Sequence, residues 1–131
     1  MDKYILMLED DTDDRSLVKE IVGELDFEIP IRFSSDSQEA FSMMAEDKPS
    51  LMLVDYNSTP ENGLQVLKRM KADKDLKGIP VVILTENDLE KYRRECYAEG
   101  ASTVATKPGK MMATRKKIEI FFRYWLEVAE V

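Results

Sequence analysis

The sequence predicts a doubly wound α/β domain: a five-stranded parallel sheet in the order 2-1-3-4-5, with helices on both faces. Three observations lead there. Apolar runs alternate five times with segments of helical period, which calls for parallel strands joined by crossover helices. The runs Tyr4–Leu8 and Leu51–Val54 are apolar without a break, as suits strands covered on both faces. Strand after strand then ends in a polar residue: Glu9-Asp10-Asp11, Asp55, Thr85 and Lys107. In doubly wound sheets, ligands gather at the carboxyl ends of strands where the order reverses.

The elements follow in order. Tyr4–Leu8 reads as the first strand, and Leu17, Val18, Ile21, Val22 and Leu25 then share one helical face. Asp13 and Asp14 suit the positive N-terminus of that helix. Ile29–Phe33 is a short second strand. Asp36-Ser-Gln-Glu39 is a capping-box variant opening a helix that Pro49 closes. Leu51–Val54 is the third strand, ending at Asp55, and Tyr56 to Pro60 break the pattern. Gly63–Ala72 is helical with Leu64, Leu67 and Met70 inward, and Ile79–Leu84 forms a fourth strand running into Thr85. A helix carrying Leu89, Tyr92 and Cys96 ends at Gly100. Thr103–Thr106 is a fifth strand before Lys107-Pro108, and a last helix covers about Met112 to Ala129.

Composition narrows the function. The 131 residues, 44% of them hydrophobic, make one domain with a real core. A net charge of −7 argues against a nucleic-acid partner. The single cysteine, Cys96, excludes an internal disulfide and suits a reducing compartment; its helical spacing with Leu89 and Tyr92 reads as core packing. Histidine is absent, which removes the commonest metal ligand and general base. No apolar run nears the roughly 20 residues of a membrane span, and Tyr4–Leu8 is too short for a signal-peptide core. The expected location is cytoplasmic, with no membrane partner and no output domain.

In the 2-1-3-4-5 order the first and third strands are neighbours, so Glu9, Asp10 and Asp55 meet at one edge while Thr85 and Lys107 reach in from the other side. Three carboxylates so placed repel one another unless one is protonated or a cation binds among them. An all-oxygen site points to a hard ion, Mg²⁺. An Asp oxygen, a divalent cation, a hydroxyl and an ammonium at one point are equipment for phosphoryl transfer. Asp55 attacks, metal and Lys107 neutralise charge, and Thr85 orients an oxygen. Any one of these strand ends could be a helix cap or a chance residue; all of them in one alternating pattern carry the reading.

These residues resemble the receiver domain of bacterial response regulators over nearly the whole chain. The likeness is carried by Ile5-Leu-Met-Leu-Glu-Asp-Asp11, Leu51-Met-Leu-Val-Asp55, Gly63-Leu-Gln-Val-Leu67, Ile79-Pro-Val-Val-Ile-Leu-Thr85, Gly100-Ala101 and Lys107-Pro108. The resemblance implies a flavodoxin-like fold and a phosphoacceptor role for Asp55, supplied by a histidine kinase or phosphotransfer protein, with slow autodephosphorylation. It implies that Glu9, Asp10, Asp55 and the main-chain carbonyl of Asn57 hold Mg²⁺ and that Thr85 and Lys107 contact the phosphoryl oxygens; the bond corresponding to Lys107-Pro108 is often cis in the family, which would aim the Lys inward. The ending Phe122-Arg-Tyr-Trp-Leu-Glu-Val-Ala129 looks like that of stand-alone receivers paired with phytochrome-type kinases.

Three positions depart from the family pattern. Pro60 falls one place later than usual, which predicts an altered loop from Tyr56 to Asn62. Glu86 stands where the family prefers a small residue, and its charge would oppose a phosphodonor or shift the hydrolytic water. Val104 replaces the aromatic that swings inward in relatives when Thr85 moves, which alters the switch but leaves the chemistry.

Rival readings are weaker. Asp55-Tyr-Asn-Ser-Thr59 resembles the nucleophile motif of haloacid-dehalogenase-type phosphatases, but Asn57 would replace their acid/base Asp and no Asp follows Lys107. A flavodoxin-like cofactor carrier would want a small-residue phosphate loop after the first strand, where this chain has acids. A degenerate receiver that docks partners without phosphorylation remains the alternative. In the last helix, Ile118, Phe121, Phe122, Trp125, Leu126 and Ala129 form an inward stripe, while Ile120, Tyr124, Val128 and Val131 form an outward one. The outward row predicts a homodimer, on the same face through which receivers commonly pair.

Overall fold

The computed structural model describes residues 4–25, 29–85, 90–106 and 115–125. In chain order these form β1 (Ile5–Leu8), α1 (Thr12–Glu24), β2 (Ile31–Ser34), α2 (Ser37–Glu46), β3 (Leu51–Asp55), α3 (Gly63–Ala72), β4 (Val81–Thr85), α4 (Glu90–Ala98), β5 (Thr103–Thr106) and α5 (Arg115–Arg123). The strands pair in parallel in the order β2-β1-β3-β4-β5. This is the flavodoxin-like arrangement that the alternation predicts.

Burial explains the unbroken apolar runs. Successive strand side chains point to opposite faces, and here each face meets helices. Leu6, Leu8, Met52, Val54, Val81 and Ile83 pack with Ala40 and Met44 of α2, Val66, Leu67 and Met70 of α3, and Cys96 of α4. Ile5, Met7, Leu51, Leu53, Val82 and Leu84 pack on the other side with Val18, Ile21 and Val22 of α1, with Phe122 of α5 and with Trp125 just beyond it. Each fully buried aliphatic side chain stabilises the sheet by about 1.5–3 kcal/mol. The sheet is a rigid platform as a result.

Boundaries differ from the sequence reading where proline intervenes. Ile29 and Pro30 precede β2 instead of joining it, although the Pro30 carbonyl accepts from Ile5 N–H at 2.9 Å. Ile79 is buried but lies in a turn, its N–H donating to Leu76 O, and β4 begins after Pro80. Proline offers no N–H to a ladder, so regular pairing starts past it. Helix α1 is capped by Asp11, which accepts from Asp14 N–H, so Asp13 and Asp14 sit inside the first turn. At α2 the expected box closes differently: Asp36 accepts from Glu39 N–H at 2.8 Å, but Glu39 reaches Ser35 N–H. The reciprocal capping box belongs to α3, between Asn62 and Gln65. Gly100 ends α4 with φ +103°, a conformation that favours glycine. Residues 112–114 and 126–129 of the expected last helix lie outside the described residues.

Candidate metal and phosphoacceptor site

Register builds the site. Leu8 of β1 stands opposite Val54 of β3, so the next residues, Glu9 and Asp55, leave the sheet side by side. Asp55 in turn stands opposite Leu84 of β4, with Thr85 next in line. Carboxylate oxygens of Glu9, Asp10 and Asp55 all lie within 4.8 Å of one another. Glu9 and Asp55 are buried while Asp10 is exposed, so the cluster opens to solvent on one side. At an effective dielectric of about 20, the buried pair alone repels by roughly 3 kcal/mol at such a separation when both are ionised. A cation removes that repulsion. The donors are all oxygen, which matches a hard divalent ion.

Local bonds hold the acids in place. Glu9 N–H donates to Ser34 O at 3.0 Å, and Asp11 N–H donates to Glu9 Oε2 at 3.2 Å. Asn57 N–H donates to Asp55 Oδ1 at 3.1 Å, folding the following turn back over the carboxylate. Tyr56 N–H continues the ladder to Leu84 O at 2.8 Å, and Ser58 N–H returns to Asp55 O at 3.0 Å. Gly63 is required just beyond. A Cβ there would stand 2.8 Å from Tyr56 Cα and 3.3 Å from Asp55 O, so any other residue pushes on the acceptor loop.

The loop past the acceptor is anchored to α2. Ser37 N–H donates to Thr59 O at 2.9 Å, Glu61 N–H to Ser37 Oγ at 3.2 Å, and Ser58 Oγ to Glu61 O at 2.7 Å. The Thr59–Pro60 peptide in this loop is cis.

Helix α4 flanks the same corner. The Tyr92 ring stacks on Tyr56 with centroids 4.9 Å apart. Burial, reinforced by Cys96, Tyr92 and Glu95, pushes the Tyr56 hydroxyl above its ordinary pKa. Burial also raises the Cys96 thiol, which fits the packing role read from its spacing. At the far end of α4, the Tyr97 hydroxyl accepts from Val104 N–H at 3.1 Å.

The structure thus brings Glu9, Asp10 and Asp55 together, sets Thr85 on the adjoining strand, and puts Asn57 in the turn that contacts Asp55. Lys107, Pro108 and Glu86 lie outside the described residues, although Thr85 is in register with Thr106, directly before Lys107. Val104 is half-buried against the α3–α4 side of the core. On α5 and the two residues after it, Phe122 and Trp125 are buried and Ile120 and Tyr124 exposed, in keeping with these members of the two stripes; Leu126, Val128, Ala129 and Val131 fall outside the described residues. Sequence reasoning missed the contact of Arg15 with the Glu9 carbonyl and the close approach at Gly63. Arg15 acts across to the β2–α2 junction, a contact with no local pattern. Gly63 was noticed only as part of a family mark, whereas its need is a close backbone approach.

A doubly wound domain with an acidic edge at its switch point, fit for a divalent cation, defines a signalling receiver more closely than a nucleotide carrier. The comparisons agree, and the chain belongs to the response regulator receiver family: residues 5–119 match the response regulator receiver domain. The response regulator Rcp1 of Synechocystis sp. is 30% identical over 132 residues, covering 95% of this chain and 90% of that protein. The crystal structure of the Mn²⁺-bound form of Rcp1 superposes with a TM-score of 0.88 at 27% identity, covering 98% of each chain. The phosphorylated cyanobacterial phytochrome response regulator RcpA gives 0.86 at 25% identity, over 99% of this chain and 98% of that one. No helix among the described residues is long and apolar enough to cross a membrane.

Proposed function

We propose that this chain is a phosphoacceptor of a two-component relay, with Asp55 taking a phosphoryl group from the phosphohistidine of a histidine kinase or phosphotransfer protein. The observation that carries it is the convergence of Glu9, Asp10 and Asp55 within 4.8 Å beside Thr85. An Asp55 carboxylate oxygen attacks phosphorus in line as the P–N bond of the donor breaks, and the bonding pair returns to the imidazole, which is protonated on release. Glu9, Asp10, Asp55 and the Asn57 carbonyl would hold Mg²⁺. Bound there, the ion supplies neutralisation of the charge on the phosphoryl oxygens. Thr85 donates a hydroxyl to one of those oxygens, and Lys107 places its ammonium on another. The Mn²⁺-bound and phosphorylated relatives support both halves of the reading.

The signal leaves by protein contact. Without an aromatic at Val104, the inward swing used by relatives is not available, so pairing of two copies through Ile120, Tyr124 and Val128 depends little on phosphorylation. Incubation with acetyl phosphate and Mg²⁺ followed by intact-mass analysis tests the chemistry. One phosphoryl adduct, absent from Asp55→Asn and from metal-free samples, is the expected result. Labelling that persists in Asp55→Asn sinks the assignment. No adduct in the wild type favours a phosphorylation-independent docking module instead.

A further inference from the structure

We propose that Arg15 is a positioning residue for the acidic cluster, clamping the end of β1 to the start of α2 so that Glu9 and Asp10 face Asp55. The inference rests on the metal-site reading above. Arg15 lies in the first turn of α1, its N–H donating to Asp11 O at 3.0 Å. Its side chain crosses two elements. Nε donates to the main-chain carbonyl of Glu9, and Nη2 donates to Ser35 Oγ at 2.9 Å. The guanidinium carbon sits 5.5 Å from the centre of the Phe33 ring, so a cation–π contact steadies the fork over β2.

Both ends of the clamp are themselves fixed. Ser35 N–H donates to Glu39 Oε1 at 2.8 Å, and Glu39 N–H is held by Asp36. Bonds between described residues hold Glu9 at its N–H by Ser34 O, at its carboxylate by Asp11 N–H, and at its carbonyl by Arg15. The last of these matters most for the site. The Glu9 carbonyl shares a rigid peptide plane with the Asp10 amide, so holding that oxygen sets the direction in which the Asp10 side chain leaves. Without Arg15 the plane can rotate and carry the exposed acid away from Glu9 and Asp55.

The geometry needs a fork. A planar guanidinium can serve two acceptors in different directions, whereas a lysine ammonium on a flexible stem keeps the charge but not the fixed bridge. Arg15→Lys therefore separates positioning from simple charge balance. Residues that orient metal ligands typically change affinity by about 10–100-fold when removed.

The test is Mn²⁺ and Mg²⁺ affinity of the full chain by titration calorimetry, with the thermal midpoint measured beside it. Arg15→Met and Arg15→Lys are each expected to bind about tenfold more weakly. Ser35→Ala, which removes one arm of the bridge, should fall between them and the wild type. The acetyl phosphate adduct should return to wild-type yield at saturating Mg²⁺, a recovery that a general loss of fold would not allow. Arg15→Met within twofold of wild type overturns the proposal, and so does full rescue by Arg15→Lys, since charge alone would then suffice. If Arg15→Met does not fold, Arg15→Lys and Ser35→Ala decide in the same way. A wild-type chain that binds no divalent cation overturns the metal-site reading itself, a result distinct from failure of the clamp.

Discussion

The acidic edge and the groove between α2 and α3 invite comparison, because the two are lined by charged groups arranged in opposite ways. Two adjoining hollows of about 390 and 430 Å³ share Phe41, Ala45 and Arg69 in their walls. There a cation and an acid of opposite sign meet. Arg69 pairs with Glu61 at 2.7 Å and lies over the Phe41 ring at 3.9 Å. At the edge, by contrast, groups of like charge are brought together at the ends of buried, paired strands. Like charge gathered on rigid supports is what nominates a functional site here.

Substitutions should break this contrast in graded ways. The largest effect belongs to Asp10→Asn, expected to weaken Mg²⁺ binding about tenfold or more in calorimetric titration. The same change should raise the thermal midpoint of the metal-free protein, because one of three mutually repelling charges is gone. An acid serving only as a helix cap would give the opposite sign.

Next comes Gly63→Ala. The added methyl meets Tyr56 Cα at 2.8 Å, and crowding of well-packed backbone costs about 1–3 kcal/mol. Chemical denaturation should show that loss together with a slower phosphorylation rate, since Asp55 O is the next atom pressed.

A smaller, pH-dependent effect is expected at Tyr4, on the floor of the sheet remote from the acids. Burial raises the pKa of its hydroxyl, Asp47 raises it further, and Arg32 partly opposes them. The hydroxyl donates to the Asp47 carbonyl, and Arg32 lies 4.3 Å over the ring. The unfolded chain ionises first as pH passes about 10. Stability is therefore full below that value and falls as pH rises toward the folded pKa. Tyr4→Phe should flatten this part of the alkaline decline in a pH series of thermal midpoints.

The smallest effect is in the groove. Arg69 is more than half exposed, so Arg69→Ala should cost less than about 1 kcal/mol. Adduct formation in the acetyl phosphate assay should not change. A large loss of phosphorylation would make the groove part of the working site and reverse the comparison.

Much of this was legible in the chain because strand ends are local signals. An apolar run that stops at an acid places the acid, and parallel order then places it beside its neighbours. Glu9, Asp10 and Asp55 meet as expected for that reason. What could not be read depends on contacts between distant segments. The Arg15 bridge to Ser35 needs the position of β2. Gly63 needs the approach of Tyr56, and the shift of the box from Asp36 to Asn62 depends on which acceptor each side chain reaches in space. The cut at Pro80 was visible locally, but the apolar burial of Ile79 masked it.

The stacked tyrosines have an optical consequence. Tyr56 follows the acceptor directly and meets Tyr92 at 29° between ring planes, a coupling of two chromophores that gives near-ultraviolet circular dichroism. The sole tryptophan, Trp125, is buried in the opposite layer, against α1 and the α5 side of the sheet. The wild type therefore carries a stacked tyrosine pair at the reacting corner and, remote from it, a tryptophan in edge contact with Tyr124. On phosphorylation the tyrosine signal should change more than the tryptophan signal, and Tyr92→Leu should reduce that change while leaving the Tyr124–Trp125 contact in place.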